Sequence, residues 1–89
     1  QPLNLPTYSF NIKSAGERTL IFDKFRRGWY PLTPEEWVRQ NFACYLCNGL
    51  GYPESLIVLE QTIVHHSLTR RCDIVVYDRQ GQSIVLVEC

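Results

Sequence analysis

The sequence predicts a small α+β domain: an N-terminal β-hairpin, then one long helix packed on a three-stranded antiparallel sheet. Three observations carry this. A single segment, "LTPEEWVRQNFACYLCNGLGYP", has the helical period and both end signals. Short strand-like runs precede it. Three apolar runs follow it, the last two joined by a turn around Gly81.

The elements follow in order. "TYSFNI", residues 7–12, alternates in the strand period; "KSAGE" is a turn on Gly16, and "RTLIFD", residues 18–23, returns as a second strand. "KFRRGWY", residues 24–30, reads as a basic and aromatic connection. In the helix, Thr33 is the expected N-cap and Pro34 the first helical residue, with Glu36 completing a T-x-x-E capping box. Val38, Phe42, Tyr45 and Leu46 form the expected buried face, and Gly49, Gly51 and Pro53 end the helix. Strands are expected over residues 55–64, 71–78 and 82–89, the last two as near-continuous Val/Ile/Leu runs of the kind covered on both faces. The division expected is residues 1–31, hairpin and connection, and residues 32–89, helix and sheet. Nothing after the third strand covers its far face, so the expectation is the front part of a larger domain, whose strand "SIVLVEC" is buried against a second copy as an isologous dimer.

Composition narrows the class. A hydrophobic fraction of 45% with 12% aromatics suits a folded domain and excludes disorder. The formal net charge is zero, so a nucleic acid or anionic membrane would have to be held by a local patch. No apolar run approaches a membrane span, the opening "QPLNLPTYSF" is not a signal peptide, and the first residue is not Met. A cytoplasmic protein with no membrane partner is expected. Cys44 and Cys47 form a CxxC within the helix, where disulfide geometry fits poorly; neither zinc nor a disulfide is expected there, and the four cysteines read as thiols in a reducing compartment. A small thiol-metal protein using Cys44, Cys47 and a histidine is the rival reading on these residues.

Asp73 opens the second strand of the C-terminal pair and Glu88 closes the third. Strands disfavour both residues. Two carboxylates on one face of a sheet edge make a hard oxygen site for Mg²⁺ or Mn²⁺. Whether they meet depends on register. A two-residue loop at Gln80-Gly81 sets Asp73 opposite Glu88. A turn opened by Asp78 with a Gly81 bulge slips the register by one, and the carboxylates then point apart unless a further bulge intervenes. The plainer alternative makes Asp73 a partner of Arg70 or Arg71 and Glu88 a solvated terminal residue.

"DIVVYDRQGQSIVLVEC" resembles the core of the PD-(D/E)xK nuclease superfamily, in which an Asp on one strand is followed across a hairpin by an apolar strand ending in Glu-x-Lys. Together with "LTPEEWVRQNFACYLCNGLGYPESLIVLE", the stretch from about Ile21 to Cys89 is similar to the N-terminal domain of the R subunit of type I restriction enzymes. The resemblance implies an incomplete restriction-endonuclease-like core, with Asp73 and Glu88 as catalytic metal ligands for Mg²⁺ or Mn²⁺. It further implies DNA as substrate and other restriction-modification subunits as partners. Cys89 matches the variable position, and the motif Lys would come next; it orients or activates water in the superfamily. The resemblance thus implies that the chain stops within the motif and does not cut DNA as it stands. A non-catalytic DNA-binding or protein-interaction module on the same fold is the alternative.

The superfamily often adds a helix Glu. At about 100° per residue Glu35 falls near Val38 and Phe42, on the expected buried face, so Glu35 is the preferred third metal carboxylate. The alternative makes Glu35 and Glu36 charges favourable to the helix N-terminus. Arg70 and Arg71 are placed to hold DNA beside the site, and Lys24, Arg26 and Arg27 with Trp29 and Tyr30 to track a phosphate backbone. A solvated charge run is the alternative for these. His65-His66 is either a proton-transfer pair or an exposed loop pair.

Overall fold

A computed structural model describes residues 7–65 and 67–88, without the side chain of His65. The His65-His66 pair and Cys89 thus lie outside what is described.

The N-terminal unit is a three-stranded meander rather than a hairpin with a loose connection. Strands β1 (Ile12–Ala15), β2 (Arg18–Asp23) and β3 (Gly28–Pro31) pair antiparallel in that order. Residues 28–31, expected in the connection, form β3 because Arg27 takes a left-handed conformation (φ 58°) that turns the chain back. Phe22 and Trp29 then sit opposite each other, their rings edge to face at 5.3 Å.

Helix α1 (Pro34–Cys44) starts as predicted, the Thr33 side chain accepting from the Glu36 N–H at 3.0 Å, with Pro34 at the first position. The capping box is only half made, because the Glu36 carboxylate turns inward to Arg26, Arg39 and Gln40. A π-helical turn, Tyr45–Gly49, extends the helix. Gly49 is required there, since a Cβ would lie 2.8 Å from the Tyr45 ring. After a short 3₁₀ turn (Glu54–Leu56) come β4 (Ile57–His65), β5 (Leu68–Tyr77) and β6 (Ser83–Val87), a second antiparallel sheet in that order.

The apolar core lies between α1 and this sheet: Ala43 and Leu46 meet Ile57, Leu59, Ile74 and Val76, with Phe42, Val85 and Val87 packed at its margin. Central strand β5 is covered on both faces over Ile74–Val76, as the unbroken apolar run predicts. Edge strand β6 is covered on one face only, with Ile84 and Leu86 51% and 47% exposed. The buried stripe of α1 departs from expectation. It runs through Glu36, Arg39, Gln40, Ala43 and Cys44, while Val38 and Phe42 are only half-buried. A polar stripe is buried where it meets a complementary polar network, and hydrophobic periodicity is blind to that.

Candidate functional site

The β5–β6 turn sets the register. Asp78 opens it: its N–H donates to the Gln82 carbonyl at 2.8 Å, and its carboxylate accepts from the Gln80 and Gln82 N–H groups. Gly81 takes φ 85° and closes onto the Asp78 carbonyl. Tyr77 then pairs with Ser83, the slipped register. Ile84 is a bulge that removes the slip, so that Val76, Val75 and Ile74 face Val85, Leu86 and Val87. The next residues along the two strands are Asp73 and Glu88. The ladder brings them to the same end, but their carboxylates go to different partners: Asp73 to Arg39 at 3.3 Å, Glu88 to Arg70.

Around Asp73 lies a network of buried charge. Asp23, at the end of β2 and fully buried, accepts from the Phe25 and Arg26 N–H groups at 2.7 and 3.2 Å. This turn sends Arg26 inward, over the Tyr30 ring at 3.6 Å. The Arg26 guanidinium then bonds Asp23, Glu36 (2.6 Å) and Glu60. Arg39, 5% exposed, bonds Glu36 at 2.6 Å and Asp73 at 3.3 Å. Four elements of the chain, β2, α1, β4 and β5, are thus tied by two arginines. Burial alone would lower both guanidinium pKa values. The hydrogen bonds and charges of Asp23 and Glu36 around Arg26, and of Glu36, Glu60 and Asp73 around Arg39, outweigh it and push both up.

Glu60 interrupts the apolar run of β4 and takes φ 55°, between the pairs Leu59–Ile74 and Gln61–Cys72. A left-handed conformation costs a non-glycine residue about 1–2 kcal/mol. Here it accompanies a carboxylate shared by Arg26 and Arg71 (2.6 Å), with Arg39 at 3.9 Å.

The predicted residues fall as follows. Asp73 is in the network. Glu88 is at its margin, exposed with Arg70. Glu35 is not on the buried face: its side chain is 68% exposed and lies 3.7 Å from Arg39. Glu36, at 5%, is the buried helix carboxylate, because the stripe of α1 that faces the sheet is the one through Arg39. Arg70 and Arg71 are exposed but paired, with Glu88 and Glu60. Arg26 points into the protein rather than along a phosphate track, and Lys24 pairs with Glu54 at 3.5 Å. Cys44, Cys47 and Cys72 are free thiols. Sequence reasoning does not single out Asp23, Arg39, Gln40 or Glu60 as site residues, and it gives Arg26 a different role. The signals were a Glu-x-x-Arg-Gln helical spacing and a lone Glu inside an apolar strand.

Carboxylate oxygens are the right donor type for Mg²⁺ or Mn²⁺, and Asp73 and Glu88 supply them. Among the described residues, however, no group of three or more His, Cys, Asp or Glu side chains is arranged to hold a metal ion. Guanidinium groups occupy the carboxylates instead.

A helix on an antiparallel sheet, with an acidic residue inside one strand, another just past the end of its neighbour and a buried carboxylate on the helix, makes an α+β module with a network of paired charges at the helix–sheet seam. The chain belongs to the family described as the type I restriction enzyme R protein N terminus, whose model matches residues 34–89, more than half its length. No curated protein and no solved structure matches it significantly. The matched part holds α1, Glu60, Asp73 and Glu88; Asp23 and Arg26 precede it.

Proposed function

We propose that this chain is the front part of a PD-(D/E)xK-type, Mg²⁺-dependent DNA endonuclease domain of a cytoplasmic restriction-modification assembly, and that in the arrangement described it does not cut. The observation that supports the reading is the corrected register of β5 and β6, in which Asp73 and Glu88 follow the last paired residues at one end of the ladder, with Asp73 linked through Arg39 to the helix carboxylate Glu36. Family membership supports DNA and restriction-modification subunits as partners. Asp73 and Glu88 would hold the cation, which when bound polarises a phosphodiester and lowers the pKa of the attacking water. Arg70 and Arg71, exposed on β5, would hold the strand to be cut once they leave their carboxylates. The pairing of both carboxylates with arginine accounts for the expected inactivity.

The test is nicking of supercoiled plasmid with Mg²⁺. The 89-residue chain should not nick. An R subunit carrying this sequence should, and Asp73→Asn should lower its rate at least about a hundredfold. Undiminished nicking by the Asp73→Asn protein would overturn the reading. The same arginine pairing favours a second reading, a DNA-binding module without chemistry. Salt-sensitive DNA binding by an R subunit that shows no Mg²⁺-dependent nicking would select it.

A further inference from the structure

The zero net charge of the chain conceals a division. Residues 1–31 carry five Lys and Arg against two Asp and Glu, and residues 32–89 carry four against seven. Ion pairing divides the cations further. Lys24, Arg26, Arg39, Arg70 and Arg71 each hold a carboxylate. Among the described residues Lys13, Arg18, Arg27 and Arg79 make no ion pair, and the first three lie on the N-terminal meander. Of the two acids there, Asp23 is fully buried and bonded to Arg26, which leaves Glu17, in the β1–β2 turn, as the exposed one.

The register gathers the free cations beside an aromatic ring. Lys13 pairs with Leu20, Leu20 with Pro31, and Phe22 with Trp29. Paired residues and residues two apart share a face, so Lys13, Arg18, Leu20, Phe22, Trp29 and Pro31 lie on one side of the sheet. The opposite side carries Ile21 and Asp23, both fully buried. The first side is open: Lys13 and Arg18 are exposed, and Trp29 is 39% exposed. The Trp29 ring is braced edge to face by Phe22, and the Lys13 ammonium lies 4.2 Å from its centroid. We infer that this face of the meander binds single-stranded nucleic acid, with Trp29 stacking a base and Lys13, Arg18 and Arg27 holding phosphates. A cation–π contact at an exposed site is weak, so a base can take the ring while Lys13 moves to a phosphate. A duplex offers the same phosphates but keeps its base faces stacked within, and an acidic peptide would leave Trp29 unused. The surface precedes the family-matched residues 34–89. It shares no residue with the Asp73 and Glu88 site, so this role goes beyond the cleavage proposed above and is independent of it.

The experiment measures binding of the 89-residue chain to a fluorescein-labelled oligothymidylate by fluorescence anisotropy across a salt series, with a thermal melt of each variant to confirm folding. An oligonucleotide of about twelve nucleotides spans the site of a typical single-strand binder. The same strand paired with oligoadenylate should bind at least roughly fivefold more weakly. Trp29→Leu keeps an apolar contact for Phe22 and removes the stacking ring. It should weaken binding roughly fivefold or more and leave the salt dependence as it was. Lys13→Gln and Arg18→Gln change exposed side chains, and they carry the test should Trp29→Leu fail to fold. Each should reduce the steepness of log affinity against log salt by about 0.7, the loss of one phosphate contact on a single strand. Arg79→Gln removes another exposed, unpaired cation, from the β5–β6 turn, and should leave affinity within about twofold. The inference is overturned by undetectable binding, by a duplex bound as tightly as the single strand, or by polyglutamate competing as well as unlabelled oligothymidylate. It is also overturned by affinity unchanged in a folded Trp29→Leu or in Arg18→Gln, or by an Arg79→Gln loss equal to that of Arg18→Gln. Nicking tests the cleavage reading separately, on residues that none of these variants touches.

Discussion

Arg26 and Glu35 mark the two extremes of what a charged side chain does in this protein. Arg26 is enclosed by Asp23, Glu36 and Glu60 and stacked on Tyr30, so Arg26→Ala strands three carboxylates. It should cost about 3–5 kcal/mol of unfolding free energy, read by urea denaturation. Glu35→Gln, at an exposed position, should change stability by less than about 0.5 kcal/mol in the same assay. Cys44 makes a second residue-scale contrast. Burial, the largest influence, pushes its thiol pKa up from the ordinary 9.0. An unfolded thiol ionises first, so the stability tied to Cys44 is complete below pH 9.0 and is lost as pH rises through the higher folded value. Cys44→Ala should flatten that alkaline fall in urea titrations. Iodoacetamide should also label half-buried Cys47 before buried Cys44.

Among the elements, the helix start and the strands were the most legible. Thr33 and Pro34 announce α1 through local chemistry that tertiary contacts do not override, and the apolar runs around Ile57, Ile74 and Val85 land on strands. What was not legible depends on partners far along the chain. Strand β3 is created by a left-handed Arg27, a residue type with no preference for that conformation. The buried stripe of α1 is not legible because Glu36 and Arg39 look like surface residues until Arg26 and Asp73 arrive. Sequence alone leaves the Asp73–Glu88 register open between two turns. The structure combines the slipped turn with the bulge that corrects it. Two element-scale outcomes follow. Gly81→Ala should cost about 1 kcal/mol, because φ 85° is unfavourable for alanine. Gly49→Ala should cost about 1–3 kcal/mol, since the new methyl meets the Tyr45 ring. Both are measured by thermal or urea melts.

At the scale of the whole molecule, the two sheets are joined by ion pairs and by Phe25, which packs against the apolar core between the helix and the second sheet. Arg26 reaches from the N-terminal meander to Glu36 and Glu60, and Lys24 reaches Glu54. Screening by salt is weak for the buried pairs and strong for the exposed one. Leu68 and Leu86 are exposed and line one shallow cavity of the second sheet with Ile63, and Ile84 is exposed at the bulge on the same edge strand as Leu86. Water-exposed aliphatic groups on neighbouring strands favour association, and with zero net charge no overall repulsion opposes it. The chain is therefore expected to form a dimer through this face, with Leu86→Lys returning it to monomer in sedimentation velocity. A wild-type chain that sediments as a monomer at every concentration tested would show this expectation to be mistaken. Among the described residues no helix is long and apolar enough to cross a membrane.

The bulge at Ile84 also bears on how this hairpin tolerates changes in length. Because Ile84 stands outside the ladder, deleting it leaves Tyr77 facing Ser83 and Val76 facing Val85, and Asp73 and Glu88 stay in step. Deleting a residue between Val85 and Glu88 instead draws the acidic end of β6 back by one place and turns its side chains to the opposite face. The hairpin therefore has one position where a single-residue gap is silent and, two or three residues further on, positions where the same gap separates the two acids. Related chains whose hairpins are one residue shorter would be aligned correctly only with the gap at Ile84. A gap placed in the turn by sequence matching alone would misassign the partner of Tyr77.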